Sequence, residues 1–139
     1  MAEVKVSGII HAGVDQVWEL VSNFSRLDEF VEAVVDCTAE GSGTGAVRTL
    51  TLADGGEAKE QLESLHPDQH LLTYSIIDSP MPIENYSGSM QVKRITDGKS
   101  EFTWSSTFDV QDGTEREMKE ALEGLYKLGV EGLQQRFSD

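Results

Sequence analysis

One long helical period closes a chain whose other regular pattern is period two, and that combination restricts the fold more than any composition figure. At about 100° per residue, Met118, Leu122, Leu125, Gly129 and Leu133 of the segment 115–137 fall in one arc, with Ala121 and Gly132 at its edge. Glycine inside a helix costs roughly 1 kcal/mol relative to alanine, so two glycines on or beside the apolar face ask for a reason. Close packing against a sheet is one reason. Empty space beneath the helix is the other, and because most of what precedes is strand, the pattern predicts a helix that lids a hydrophobic cavity.

Before that helix, Val4, Val6, Gly8 and Ile10 alternate as a first strand. Val14, Val17, Trp18 and Val21 recur at helical spacing and predict a short helix ending near Asn23. Ser25 with Asp28 three residues on resembles a capping box and predicts a second short helix through Val31. The pattern then switches to period two, with strands expected over 34–39, 46–52, 57–65, 71–77, 85–95 and 100–110. Turn chemistry separates them: Gly41-Ser42-Gly43, Asp54-Gly55-Gly56, His66-Pro67-Asp68, Ser79-Pro80-Met81-Pro82 and Asp97-Gly98. These connections are short, so consecutive strands should be antiparallel neighbours in a meander. An α+β domain is expected over residues 1–139, its seven-stranded antiparallel sheet covering its apolar face by curling around the one long helix.

With 139 residues the chain is long enough for one substantial core. Its formal charge of −14 argues against nucleic acid and anionic membrane surfaces as partners, because both are polyanions. The acids are scattered, which fits a solvated surface or a saline setting. A single cysteine, Cys37, excludes an internal disulfide. Lys5, His11, Asp15 and Glu19 interrupt the N-terminal apolar residues, so no signal peptide or membrane-inserting segment is read and a cytoplasmic protein is expected.

Several stretches carry a resemblance: Val17-Trp18-Glu19-Leu20-Val21-Ser22-Asn23-Phe24, Gly45-Ala46-Val47-Arg48, Lys59-Glu60-Gln61-Leu62-Glu63, Leu72-Thr73-Tyr74, and the Tyr126, Gly129, Leu133 spacing. With the element order, they resemble the helix-grip fold of the START-like (SRPBCC) superfamily over essentially the whole chain. That superfamily includes bacterial polyketide cyclase/dehydrase-like proteins, plant pollen allergens and hormone receptors. The resemblance implies a cavity for a small hydrophobic molecule, and its members include carriers, receptors and enzymes.

Strand parity nominates the site. Arg48 shares the parity of Ala46, Leu50 and Leu52, and Glu60 that of Ala58 and Leu62, so both should point inward, opposite or one pair apart across a hairpin. A charge in an apolar interior is expensive unless paired. The pair reads either as a structural ion pair or as catalytic residues. Plant lachrymatory-factor synthases, distant relatives by resemblance, carry a functional arginine and glutamate in matching strands. That likeness implies Arg48 as an electrostatic anchor and Glu60 as an acid/base. Inward parity also nominates Tyr74, Tyr86, Met90, Trp104 and Phe108, and the helix arc Leu122, Leu125 and Gly129, as ligand contacts. The loops 53–56 and 78–83 should flank the mouth, with Asp54, Gly55, Pro80, Met81 and Pro82 as gate residues. In the plant hormone receptors the equivalent loops close over ligand.

His66 and His70 straddle a turn without a clustered third ligand, so no metal is expected. His11 reads as a surface residue and Cys37 as a buried inert thiol. No Gly-rich phosphate loop or Ser-His-Asp arrangement is visible, and no cofactor is expected. Three functions follow from this reading. The first is binding of a lipid, polyketide-like or isoprenoid-like molecule, the second a cyclase, dehydratase or isomerase, and the third a ligand-gated interaction module. A monomer or weak dimer is expected, and no protein partner is indicated.

Overall fold

The computed structural model describes residues 2–41, 43–79, 82–110 and 113–137; Ser42, Pro80 and Met81, expected in turns, lie outside them. The chain runs β1 (Ala2–Ile10), α1 (Val14–Val21), β2 (Val34–Glu40), β3 (Val47–Leu52), β4 (Glu57–His66), β5 (Leu71–Asp78), β6 (Ile83–Thr96), β7 (Lys99–Val110) and α2 (Glu115–Arg136). The strands form one seven-stranded sheet in the order β1-β7-β6-β5-β4-β3-β2, each neighbouring pair antiparallel. This is the helix-grip architecture: β2 to β7 make the meander, β1 closes onto β7, and α2 packs chiefly on β1 and then on β7.

Alternation decides what faces inward. Phe102, Trp104, Ser106 and Phe108 of β7 are buried on one face, as are Tyr86, Gly88, Met90 and Val92 of β6 and Leu72 and Tyr74 of β5. Irregularities near the ends of strands bend this face. An extra residue at Val35, at Ile77 and near Asn85 breaks the ladders β2/β3, β4/β5 and β6/β7. Such bulges turn a side chain outward and sharpen the local twist. Val35 and Ile77 are accordingly exposed, and Asn85 adopts a left-handed φ of 54°. A further bulge at Glu63 lets Leu62 and Leu65 both turn toward the core, where strict alternation would separate them.

Two sequence expectations change. The second short helix is a single 3-10 turn, Leu27–Glu29. Ser25 does not cap it. Its N–H and hydroxyl instead donate to Asn23 Oδ1 at 3.2 and 2.8 Å, a local Asx turn that competes with helix initiation. On α2, Ala121 is exposed, while Tyr126 and Val130 join Leu122, Gly129 and Leu133 on the buried face.

The two glycines of that face serve contact rather than space. A Cβ at Gly129 would sit 2.7 Å from Trp104 Cζ3, and one at Gly132 would collide with the Phe30 carbonyl oxygen. The helix can approach the sheet here because these positions carry no side chain. The cavity lies elsewhere along it.

Candidate functional site

Between the middle of α2 and the strands β3 to β7 lies a cavity of about 310 Å³. Leu50, Leu52, Ala58 and Ile76 floor it from the sheet, Leu122, Leu125 and Tyr126 cover it from α2, and Leu27, Val31 and Val34 close one side. Tyr74, Tyr86 and Trp104 complete the wall. Ala53, Asp54 and Ser79 reach it from the two loops expected at its mouth. The first of these loops is a tight turn: Gly55, with φ of 93°, donates its N–H to Leu52 O at 2.9 Å, and Gly56 N–H donates to Asp54 Oδ1 at 2.9 Å.

Arg48 and Glu60 face each other directly in the β3/β4 register. They are 1% and 7% exposed. Arg48 Nε donates to Glu60 Oε1 at 2.8 Å, and Nη2 stands 2.6 Å from the same oxygen at an angle that makes no hydrogen bond. The guanidinium lies over the Phe24 ring, 4.0 Å from its centroid, with the Tyr74 ring 5.2 Å away. Cation–π contacts of this kind contribute about 0.5–2 kcal/mol when desolvated. Only Glu60 belongs to the cavity wall. Arg48 is not among the residues that line it and pairs with the Glu60 carboxylate.

The remaining nominated residues divide. Tyr74, Tyr86, Trp104, Leu122 and Leu125 line the cavity together. Met90 and Phe108 are wholly buried but off the wall, because the facing sheet positions there are filled by neighbouring aromatic rings such as Tyr86, stacked on Phe108 at 6.3 Å. Gly129 is also off the wall, pressed on Trp104. Of the residues expected to gate it, Asp54 lines the cavity, Gly55 and Pro82 are exposed and off the wall, and Pro80 and Met81 lie outside the described residues.

Tyr126, absent from the nominated set, is the wall residue that ties the site together. It follows Leu122 by one turn and precedes Leu133 by two, so the helical period placed it on the buried face. Its ring stacks on Trp104 at 4.2 Å. Its hydroxyl contacts the Tyr86 hydroxyl and donates to Ser106 Oγ at 2.8 Å. Tyr86 in turn meets the Tyr74 hydroxyl at 2.8 Å, and Trp104 Nε1 donates to Tyr74 at 2.8 Å. Burial pushes the Tyr74 and Tyr86 phenols well above their ordinary range and Tyr126 to about 12. All three are therefore neutral hydroxyls at physiological pH.

Outside the cavity, burial raises the Cys37 thiol, and its Sγ sits 3.6 Å from Phe24 O, which leaves it a poor nucleophile. His11 is exposed, and His70 Nε2 contacts Asp15 at 3.2 Å. Among the described residues no group of three metal-ligating side chains occurs, and no helix is long and apolar enough to cross a membrane.

A curled antiparallel sheet gripping one long helix, with an apolar cavity under the helix, defines a START-like helix-grip protein. The chain belongs to the polyketide cyclase/dehydrase and lipid transport family, whose model matches residues 1–138. It is similar to protein XoxI from Bacillus cereus, with a TM-score of 0.93 and 32% identity, covering 100% of this chain and 97% of that one. It is 26% identical over 119 residues to the abscisic acid receptor PYL6 from Arabidopsis thaliana, across 78% of this chain and 55% of the receptor. The chain thus spans about half the length of that relative. The Zhui aromatase/cyclase from Streptomyces shares the fold alone, with a TM-score of 0.80 at 14% identity over 97% of this chain and 92% of that one.

Proposed function

We propose that this protein binds a small hydrophobic molecule, of lipid, polyketide-like or isoprenoid-like character, in the cavity between α2 and the sheet. The observation that carries the reading is the cavity of about 310 Å³, walled almost entirely by Leu, Val, Ile, Ala and aromatic side chains. An apolar pocket with few polar groups is the usual form of a small-molecule site. Membership in the polyketide cyclase/dehydrase and lipid transport family, and a relative named as an abscisic acid receptor, support it. Uptake of the neutral probe N-phenyl-1-naphthylamine tests it. Fluorescence should rise on mixing with the protein, and Leu125→Trp, which fills the cavity from the half-exposed side of α2, should abolish the rise while keeping the melting temperature within a few degrees. Unchanged uptake by that variant contradicts the reading.

Glu60 supports a second reading, a cyclase, dehydratase or isomerase. A carboxylate on an apolar cavity wall, steadied by a buried guanidinium, is equipped to move a proton on a bound ketide. In that case Arg48 positions Glu60. Glu60→Gln should then remove turnover of a ketide substrate and its pH dependence while leaving probe uptake in place. Equal turnover by the variant excludes it.

A further inference from the structure

The hydrogens of the tyrosine cluster can be counted. Each phenol carries one hydrogen and two lone pairs, and an indole N–H can only donate. Tyr126 gives its hydrogen to Ser106 Oγ, so the contact between Tyr86 and Tyr126 must be donated by Tyr86. Tyr86 has then spent its hydrogen, and the 2.8 Å contact with Tyr74 must be donated by Tyr74. Trp104 gives its N–H to Tyr74. The hydrogens therefore run one way, from Trp104 through Tyr74, Tyr86 and Tyr126 to Ser106. Burial keeps every phenol protonated at neutral pH, which maintains the count.

The tyrosines of the cavity wall consequently have no phenolic hydrogen to give, and Tyr86, the most exposed of the three at 6%, keeps a lone pair to offer. The other polar groups on it point the same way. Glu60 presents a carboxylate, Asp54 a second one at the mouth, and Ser79 has a partner of its own. The backbone N–H groups of Val34 and Ala53 are taken by the carbonyls of Val31 and Ala33. Among the described residues that line the wall there is no Lys, Arg or His.

We propose that the cavity selects a neutral amphiphile that brings its own hydrogen-bond donor, an alcohol or a phenol, and rejects carboxylate lipids of the same size. This rests on the cavity-binding reading above and adds the polarity of the ligand's head. A hydroxyl can donate to a tyrosine oxygen or to Glu60 without disturbing the chain of hydrogens. An anion meets the Glu60 and Asp54 carboxylates with no cationic side chain among the described residues of the wall, and its desolvation is uncompensated. An ether or ketone either goes unpaired or forces the chain to reverse.

The test displaces N-phenyl-1-naphthylamine from the full chain at pH 8 with decanol, decyl methyl ether and decanoate. Decanol should bind about tenfold tighter than the ether, the value of one net hydrogen bond, with decanoate weakest. Ser106→Ala removes the last acceptor and releases the Tyr126 hydrogen toward the cavity, so the preference for decanol over ether should shrink toward one. An ether that matches decanol, a decanoate that equals or exceeds it, or an unchanged preference in Ser106→Ala overturns the proposal while the cavity-binding reading stands. If no probe is taken up at all, both fall. The panel on the unmodified chain decides the matter even where the serine variant does not fold.

Discussion

Around Leu122, Leu125 and Tyr126 the final helix stands over a cavity, whereas around Gly129 and Gly132 it lies so close to its neighbours that a single added carbon would strike the Trp104 ring or the Phe30 carbonyl. Both stretches are buried, and both belong to one continuous helix. The difference lies in what separates helix from sheet. At the glycine end there is no side chain, and the backbone of α2 comes down onto Trp104 and the 30–31 segment. At the other end large side chains hold the helix off, and the strands β3 to β5 curve away beneath it. Glycine on a helix that faces a sheet therefore marks the closed end of this grip, and bulky residues mark the open end. The cavity follows the second.

The largest effect expected concerns the open end, where packing is thinnest and an ion pair is buried. Glu60→Ala strands the Arg48 guanidinium and should cost about 3–5 kcal/mol in chemical denaturation. Combining Arg48→Met with Glu60→Leu should recover much of that loss. A single-variant cost under about 0.5 kcal/mol, the size of a surface change, means the open end does not depend on the pair.

Next comes the closed end. Gly132→Ala should lose roughly 3 kcal/mol, since a backbone carbonyl cannot step aside, and Gly129→Ala about 1–3 kcal/mol, since the Trp104 ring must shift. Gly124, on the same helix with nothing near its Cβ position, should behave oppositely, Gly124→Ala gaining up to about 1 kcal/mol. Equal responses at 124, 129 and 132 in thermal melts remove the distinction between the ends.

A smaller effect sharpens the comparison through pH. The chain has three tyrosines, and all three lie in the buried cluster. A phenol whose folded pKa exceeds its unfolded value stabilises the fold below the unfolded value, and that contribution disappears as pH rises through the folded one. With an ordinary value of 10.0 and Tyr126 at about 12, stability should fall between those limits. Ultraviolet difference spectra should detect no phenolate in the native protein at pH 10.5, and phenolate should appear in step with unfolding. Half-titration of a folded protein at pH 10 means the cluster is open to water.

Much of this architecture is legible in the residues. The period-two runs with their short turns dictate the meander, and the parity of Arg48 with Leu50, and of Glu60 with Leu62, puts that pair inside. What parity cannot reach is distance from the helix. Met90, Phe108 and Trp104 all point inward by the same rule, yet only Trp104 meets the cavity, because α2 and neighbouring rings fill the space over the others. Nor can it tell whether an inward charge lines the cavity: Glu60 does, and Arg48 on the neighbouring strand does not. The 3-10 turn escaped because a Ser-x-x-Asp pattern suits a cap only if the chain goes on to coil, and Asn23 took the Ser25 N–H first. Tyr126 was readable from its spacing and draws its importance from hydroxyl partners on β5, β6 and β7, which no local pattern encodes.

Amide chemical-shift mapping tests the central claim, that ligand enters at the bulky end of the grip and is barred from the glycine end. On titration of the labelled protein with decanol, amides at Leu50, Ala58, Ile76, Leu122, Leu125 and Tyr126 should move saturably and together, while Gly129, Gly132 and Leu133 stay in place. Shifts centred on the glycine end, or scattered over the acidic surface without saturation, contradict it.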